Sequence, residues 1–186
     1  MKRFATLFLG ALLLTALAAM PAGAAQWPSA TTCLDSIGIY NIENPGATCH
    51  PVNGDTVWVG IGGIVTAMDT KTSGVGFWIQ LSGGGPYSGL NVFTANTNWP
   101  VARGDSVIVR PSMVTEYGGY ETELVSLSGS WGSNLYVYKV LSNHALPPFQ
   151  EGTPTTLNTL NSNTALEQWE NCLVKCVPNN GKGLLR

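Results

Sequence analysis

Residues able to do covalent or metal chemistry are few in this sequence. Four cysteines (Cys33, Cys49, Cys172, Cys176) and two histidines (His50, His144) are the thiol and imidazole candidates. Structural zinc takes four Cys or His ligands from closely spaced pairs. Neither the Cys33/Cys49 nor the Cys172/Cys176 separation is of that kind, so no zinc site is expected. Cys33 and Cys49 flank a run of turn formers, Asn41 and Asn44-Pro45-Gly46. A disulfide closing that loop would contribute about 3 kcal/mol through chain entropy. Cys172 and Cys176 read differently. In a strand, residues four apart stand about 13 Å apart, beyond the ~7 Å Cα reach of a disulfide, so they are not expected to pair with each other. Metal-assisted phosphodiester hydrolysis needs several carboxylates, usually with His, converging on one ion. His50 and His144 are far apart and read as loop residues. Glu116, Glu121 and Glu123 gather near one hairpin with the oxygen chemistry calcium prefers, but the expected state is a set of exposed hairpin carboxylates. No Gly-x-Ser-x-Gly elbow joins a strand to a helix. The SGGGPYSG run at Ser82 to Gly89 lacks the Lys and the following helix of a phosphate loop. No catalytic residue, metal or cofactor is expected, and the chain is read as a non-enzyme.

The elements that would carry any site are strands. TVWVGIGGIVTAM, from Thr56 to Met68, alternates with Val57, Val59 and Ile61 on one side, the period of a half-buried strand. Gly62-Gly63 is read as an interruption, a bulge or bend that would curl a long first strand. GVGFWIQL sets Val75, Phe77, Ile79 and Leu81 on one face and Trp78 and Gln80 on the other, and in LNVF Leu90 and Val92 alternate with Asn91 and Phe93. Arg103-Gly104-Asp105 turns into SVIVRPSMVTEY, where Val107 and Val109 face inward and Pro111 breaks or edges the strand. YETELVSLS and NLYVYKVL complete six short strands with glycine-rich connections. A sandwich or small barrel follows, with Val57, Val59, Val65, Phe77, Ile79, Val92, Val107, Val109 and Leu124 inside it.

The ends differ from this middle. Lys2 and Arg3, the apolar run Phe4 to Ala19 and the small residues around Ala22-Gly23-Ala24 have the order of a secretory signal. Residues 1–25 are therefore expected to be cleaved, leaving an exported product, secreted or periplasmic, in which disulfides persist. With 22 glycines, 11% charged residues and a net charge of -2 that becomes more negative once Lys2 and Arg3 are gone, the chain does not have the composition of a nucleic-acid-coating protein. From His144 the texture turns to Pro, Thr and Asn, an extended linker. Thr164 and Glu167 have capping-box spacing for a turn of helix through LEQWE. NCLVKCV then reads as a further strand, which either pairs back onto the barrel or begins something longer.

Five segments in one order carry a family resemblance: GIVTA at Gly63 to Ala67, FWIQ at Phe77 to Gln80, GPYSG at Gly85 to Gly89, Gly104-Asp105, and TEYGGYETEL at Thr115 to Leu124. Over roughly residues 37 to 175 the chain resembles the OB-fold-like domain of secreted bacterial nucleases of the ExeM type and related exported multidomain proteins. It departs at Leu81, where the family usually carries an acid, and at Gly60 to Gly63, where two residues are inserted. The resemblance implies an all-β, small Greek-key barrel in an accessory role, since the cleaving chemistry of those proteins belongs to a separate catalytic domain. The expected organisation is a signal peptide (1–25), a lead-in segment with the Cys33/Cys49 bridge (26–52), the barrel (53–142), and a linker with an incomplete C-terminal element (143–186).

OB barrels that hold single strands present aromatic platforms on their second and third strands. Trp78 and Phe93 point away from the core by alternation, and Tyr87 lies in the loop between them. These three are the candidate ligand-binding residues. Residues 55 to 140 carry Lys71, Arg103, Arg110 and Lys139 against Asp55, Asp69, Asp105, Glu116, Glu121 and Glu123, too little positive charge for tight phosphate binding. The leading expectation is that Trp78 and Phe93 pack under a neighbouring segment. As a ligand face they would take single-stranded nucleic acid or oligosaccharide weakly. The function expected is a non-catalytic binding or accessory module, with the N-terminal fragment of a secreted nuclease as the alternative.

Overall fold

The computed structural model describes residues 36–69, 75–94, 100–110, 112–119, 121–127, 135–152 and 166–176. The signal segment 1–25, Cys33 and Thr164 lie outside the described residues. Among the described residues the first element is a short helix, α1 (Ile39–Glu43). Asn41 starts it by accepting the Gly38 N–H at 3.1 Å, and Asn44 helps end it by accepting the Gly46 N–H at 2.9 Å. Ile39 and Ile42 are wholly buried, and the helix packs on the second and fourth of the strands that follow. Nothing in the lead-in segment had suggested a helix, because five residues are too few for a 3.6-residue period to show.

The strands are β1 (Thr56–Val57), β2 (Ile61–Met68), β3 (Val75–Gln80), β4 (Gly89–Thr94), β5 (Ser106–Arg110), β6 (Ser112–Tyr117), β7 (Glu121–Val125), β8 (Tyr136–Leu141), β9 (Gln150–Gly152) and β10 (Val174–Cys176). The first eight form one sheet in the order β1-β6-β7-β4-β3-β2-β5-β8. β1 pairs antiparallel with β6 and β2 with β5. Since β1 leads directly to β2 and β5 to β6, the two ends of the sheet meet and the ladder curls into a barrel. β4 and β7 run parallel, with Asn91 opposite Glu123 and Val92 opposite Leu124. Five strands result, β1/β2, β3, β4, β5/β6 and β7, with a parallel contact between the third and fifth. That is the Greek-key order of an OB barrel, and β8 adds an edge along β5.

The period-2 pattern put the right side chains inside. Val57, Val65, Phe77, Ile79, Val92, Val107, Val109 and Leu124 all lie in the core, joined by Ile61, Leu90, Val114, Leu135 and the isoleucines of α1. Val59 is only half-buried against it, because the first strand breaks at 58–60, between β1 and β2. This corrects the reading of Gly62-Gly63 as the interruption, for both lie within β2. A Cβ on Gly63 would stand 2.9 Å from Ile79 Cβ and 3.2 Å from Ile39 Cδ1, so this glycine admits the helix and β3 to close contact. The register shift of β2 against β3 falls later, between Val65 and Ala67. NCLVKCV is strand only over β10, which pairs parallel with β9 in a separate two-stranded sheet. Among the described residues no helix is long and apolar enough to cross a membrane.

Candidate functional site

Alternation fixes what the outer face of the second and third barrel strands presents. Phe77 and Ile79 point into the core from β3, and Leu90 and Val92 from β4, so Trp78, Gln80, Gly89, Asn91 and Phe93 point out. Trp78 is opposite Asn91, Gln80 opposite Gly89, and Gly76 opposite Phe93. Trp78 and Phe93 are thus diagonal neighbours on one face, within the roughly 7–8 Å reach of large side chains. The structure brings these two candidates together. Tyr87 is placed elsewhere: its ring meets Tyr40 of α1 edge-on, with centroids 6.0 Å apart, and its backbone holds a φ of 55°.

The face is not bare. Residues 166–173 cross it as a strap, turning through Leu166–Glu167 and closing with Trp169 N–H on the Leu166 carbonyl at 2.8 Å. The Trp78 indole N–H donates to Asn171 Oδ1 at 3.1 Å, and the Asn171 amide donates in turn to the Thr122 carbonyl at 3.2 Å. The Thr122 N–H donates to Glu170 Oε1 at 3.1 Å, and the Leu173 N–H to Gln80 Oε1 at 3.1 Å. At the loop end, the Tyr87 N–H reaches the Gln168 carbonyl at 2.6 Å. Gln80 is held for its part by donating to Ser88 Oγ at 2.9 Å, and Ser88 lies 3.5 Å from the free thiol of Cys172. A Cβ on Gly89 would run into the Asn171–Cys172 peptide group. Cys49 is disulfide-bonded; Cys33, its expected partner, is outside the described residues.

Around the strap the charge is negative. Glu116 accepts from Thr122 Oγ1 at 2.9 Å, Glu121 from the Asn91 amide at 2.8 Å, and Glu123 from Thr115 Oγ1 at 3.2 Å. All three hydrogen bonds run between strands, so the hairpin acids are not the exposed carboxylates expected: Glu116 and Glu121 are half-buried and Glu123 is buried, which pushes its carboxyl above the ordinary range. Among the described residues no three His, Cys, Asp or Glu side chains are placed to hold a metal ion. The described cations are engaged elsewhere. Arg103 donates to the Thr66 carbonyl at 3.0 Å, Arg110 lies over the Tyr138 ring, Lys139 pairs with Asp105 at 3.2 Å, and Lys175 pairs with Glu151 at 2.9 Å. His50 Nδ1 is 3.1 Å from the Asn41 carbonyl, and His144 is an exposed loop residue. Beneath the strap sits Glu43 of α1, 1% exposed, with neither carboxylate oxygen hydrogen-bonded.

Sequence reasoning had located the face through Trp78 and Phe93, and alternation set Gln80 and Asn91 on it without giving them a role. Glu43 and Asn171 were missed, since polar residues in a five-residue helix and in an irregular segment leave no period to read.

No family model matches the chain, and no curated protein matches it. Among solved structures it is similar to the OB domain of MM0293 from Methanosarcina mazei, solved by NMR. The identity is 18%, over 48% of this chain and 75% of that one, with a TM-score of 0.34.

Proposed function

We propose that the chain is a non-catalytic binding module of an exported protein, and that its β3–β4–β7 face takes an uncharged, hydrogen-bonding polymer, oligosaccharide ahead of single-stranded nucleic acid. One observation carries the choice. The outward aromatics Trp78 and Phe93 are bordered by the amides of Gln80 and Asn91 and the acids Glu121, Glu123 and Glu170, while the described cations are engaged elsewhere. Aromatic faces with amide neighbours suit sugar rings, whereas single-strand binders add positive charge along the phosphates. A ring stacking on Trp78 would displace Asn171. The features of residues 1–25 support export, and a bridge between Cys49 and Cys33 fits that compartment. Titration of the full mature protein with neutral oligosaccharides and with a fluorescent oligothymidylate, at about 0.05 and 0.3 M salt, tests the reading. Saccharide binding should barely respond to salt, and the oligonucleotide should bind at high micromolar or weaker. A sub-micromolar, salt-steep oligonucleotide isotherm overturns it. The alternative role, as the leading domain of a nuclease, rests on the resemblance alone and would be supported by a catalytic domain encoded downstream.

A further inference from the structure

The strap is held by directional hydrogen bonds, yet it is seated on carboxyl groups that lack counter-ions. Glu43 is buried beneath it with both oxygens unpartnered, and the Oε2 of Glu170, on the strap itself, is buried and unpartnered as well. We propose that residues 166–173 are a proton-dependent strap, seated on the β3–β4–β7 face while Glu43 and Glu170 are protonated and released from it when they ionise.

The surroundings of these groups set the sign. Facing Glu43 are Glu170, Cys172 and Glu167, opposed by the Asn171 amide of the strap, which lies on the same side but outside hydrogen-bond geometry. Facing Glu170 are Glu167, Glu116 of β6 and Glu121 of β7, with the Thr122 N–H as the one donor. Glu167 faces Glu116 and, favourably, His50. No described lysine or arginine is among them. Burial first, and the Glu170 charge next, hold the Glu43 carboxyl well above the usual range. Burial, with the Glu167 charge after it, pushes Glu170 up to about 8. A neutral carboxyl can stay under the strap without a partner, but a desolvated carboxylate cannot. When Glu170 loses its proton, water is the nearest source of compensation, and the strap is the part able to move toward it. It is tied to the face by hydrogen bonds of Gln168, Glu170, Asn171 and Leu173, whereas Phe77 and Ile79 beneath are fixed in the core. Release uncovers Trp78, Gln80 and Gly89. The inference rests on the strap's own geometry and holds whatever ligand that face takes.

The test is hydrogen exchange with mass spectrometry on the full mature protein from pH 6 to 9.5, corrected for the intrinsic pH dependence of exchange. The indole N–H resonance of Trp78, assigned with Trp78→Phe, is followed in parallel. Residues 166–173 should lose protection at least about tenfold as pH passes 8, with the Trp78 resonance moving together with them and β3 and β4 staying protected. Glu170→Gln should keep the strap closed through pH 9.5. Should the buried Glu43→Gln variant fail to fold, half-buried Glu170 still decides the matter. Unchanged protection across the range, opening of Glu170→Gln at the same pH as the native chain, or simultaneous exposure of β3 each overturns the proposal. Since no ligand enters this experiment, failure to bind saccharide leaves its result standing.

Discussion

Gly89 faces the peptide group joining Asn171 and Cys172 with only a hydrogen atom between them, which makes it the most sensitive single position on the candidate face. Gly89→Ala forces either the strap or β4 to yield. β4 is hydrogen-bonded on both sides, by β3 and β7, so the strap should move. Exchange protection at residues 166–173 should collapse already at pH 6, while overpacking costs the fold about 1–3 kcal/mol. Retained protection there would mean that the contact relaxes more cheaply than the geometry suggests. Trp78→Phe asks for less. It keeps a ring on the face and removes the donor to Asn171 Oδ1, leaving one acceptor free to turn toward water. Net hydrogen-bond contributions of about 0.5–1.5 kcal/mol set the expected loss in denaturant unfolding. A larger loss would show that the indole body, and not its N–H, carries the contact.

Among the elements, β3 and β4 form the rigid floor under the strap, and their alternation was readable because each buries one face of apolar side chains. Ile79 lies wholly buried in the barrel, so Ile79→Ala should cost about 2–5 kcal/mol in chemical denaturation. An unchanged midpoint would contradict the core placement. Gly63→Ala should also destabilise, by about 1–3 kcal/mol, because its new methyl meets Ile79 Cβ and Ile39 Cδ1 at once; a thermal melt reads this directly. The pair Gly62-Gly63 also shows where sequence reading stopped. A glycine pair in a strand signals either a bend or a close approach, and the sequence does not tell them apart until Ile39 is known to pack there. α1 was invisible for a related reason, since IYNIE is shorter than two helical turns and takes its place from burial of Ile39 and Ile42. The strap was harder still. Its link from Trp78 to Asn171 spans 93 positions and joins two polar groups, and such contacts carry no periodic signature.

At the scale of the whole molecule, two opposing carboxylate environments shape stability against pH. Asp105 sits in the turn before β5. Burial pulls its carboxyl upward, but the Ala102 N–H, the Ser142 side chain and Lys139 outweigh that and hold it below its ordinary 3.8. Its folded form therefore binds protons less readily than the unfolded chain, and the stability it contributes is present above 3.8 and lost as pH falls through its folded value. Glu43, Glu123, Glu167 and Glu170 lie on the other side. All four are raised from an ordinary 4.5, and Glu170 reaches about 8. For these the folded chain binds more protons than the unfolded one between those values. Their contribution is complete below 4.5 and declines as pH rises, until the folded carboxyls have ionised. The unfolding free energy should accordingly peak at mildly acidic pH, near 4 to 5 on the ordinary values of these groups, and fall steadily toward pH 8. Equilibrium urea denaturation of the protein at half-unit pH steps checks this. Glu170→Gln cannot ionise, so its curve should be flatter on the alkaline limb and unchanged on the acid limb, where Asp105 acts. A native maximum at pH 7 or above, or an alkaline limb of the same slope in Glu170→Gln, would mean that the carboxyls beneath the strap are already charged in the folded chain.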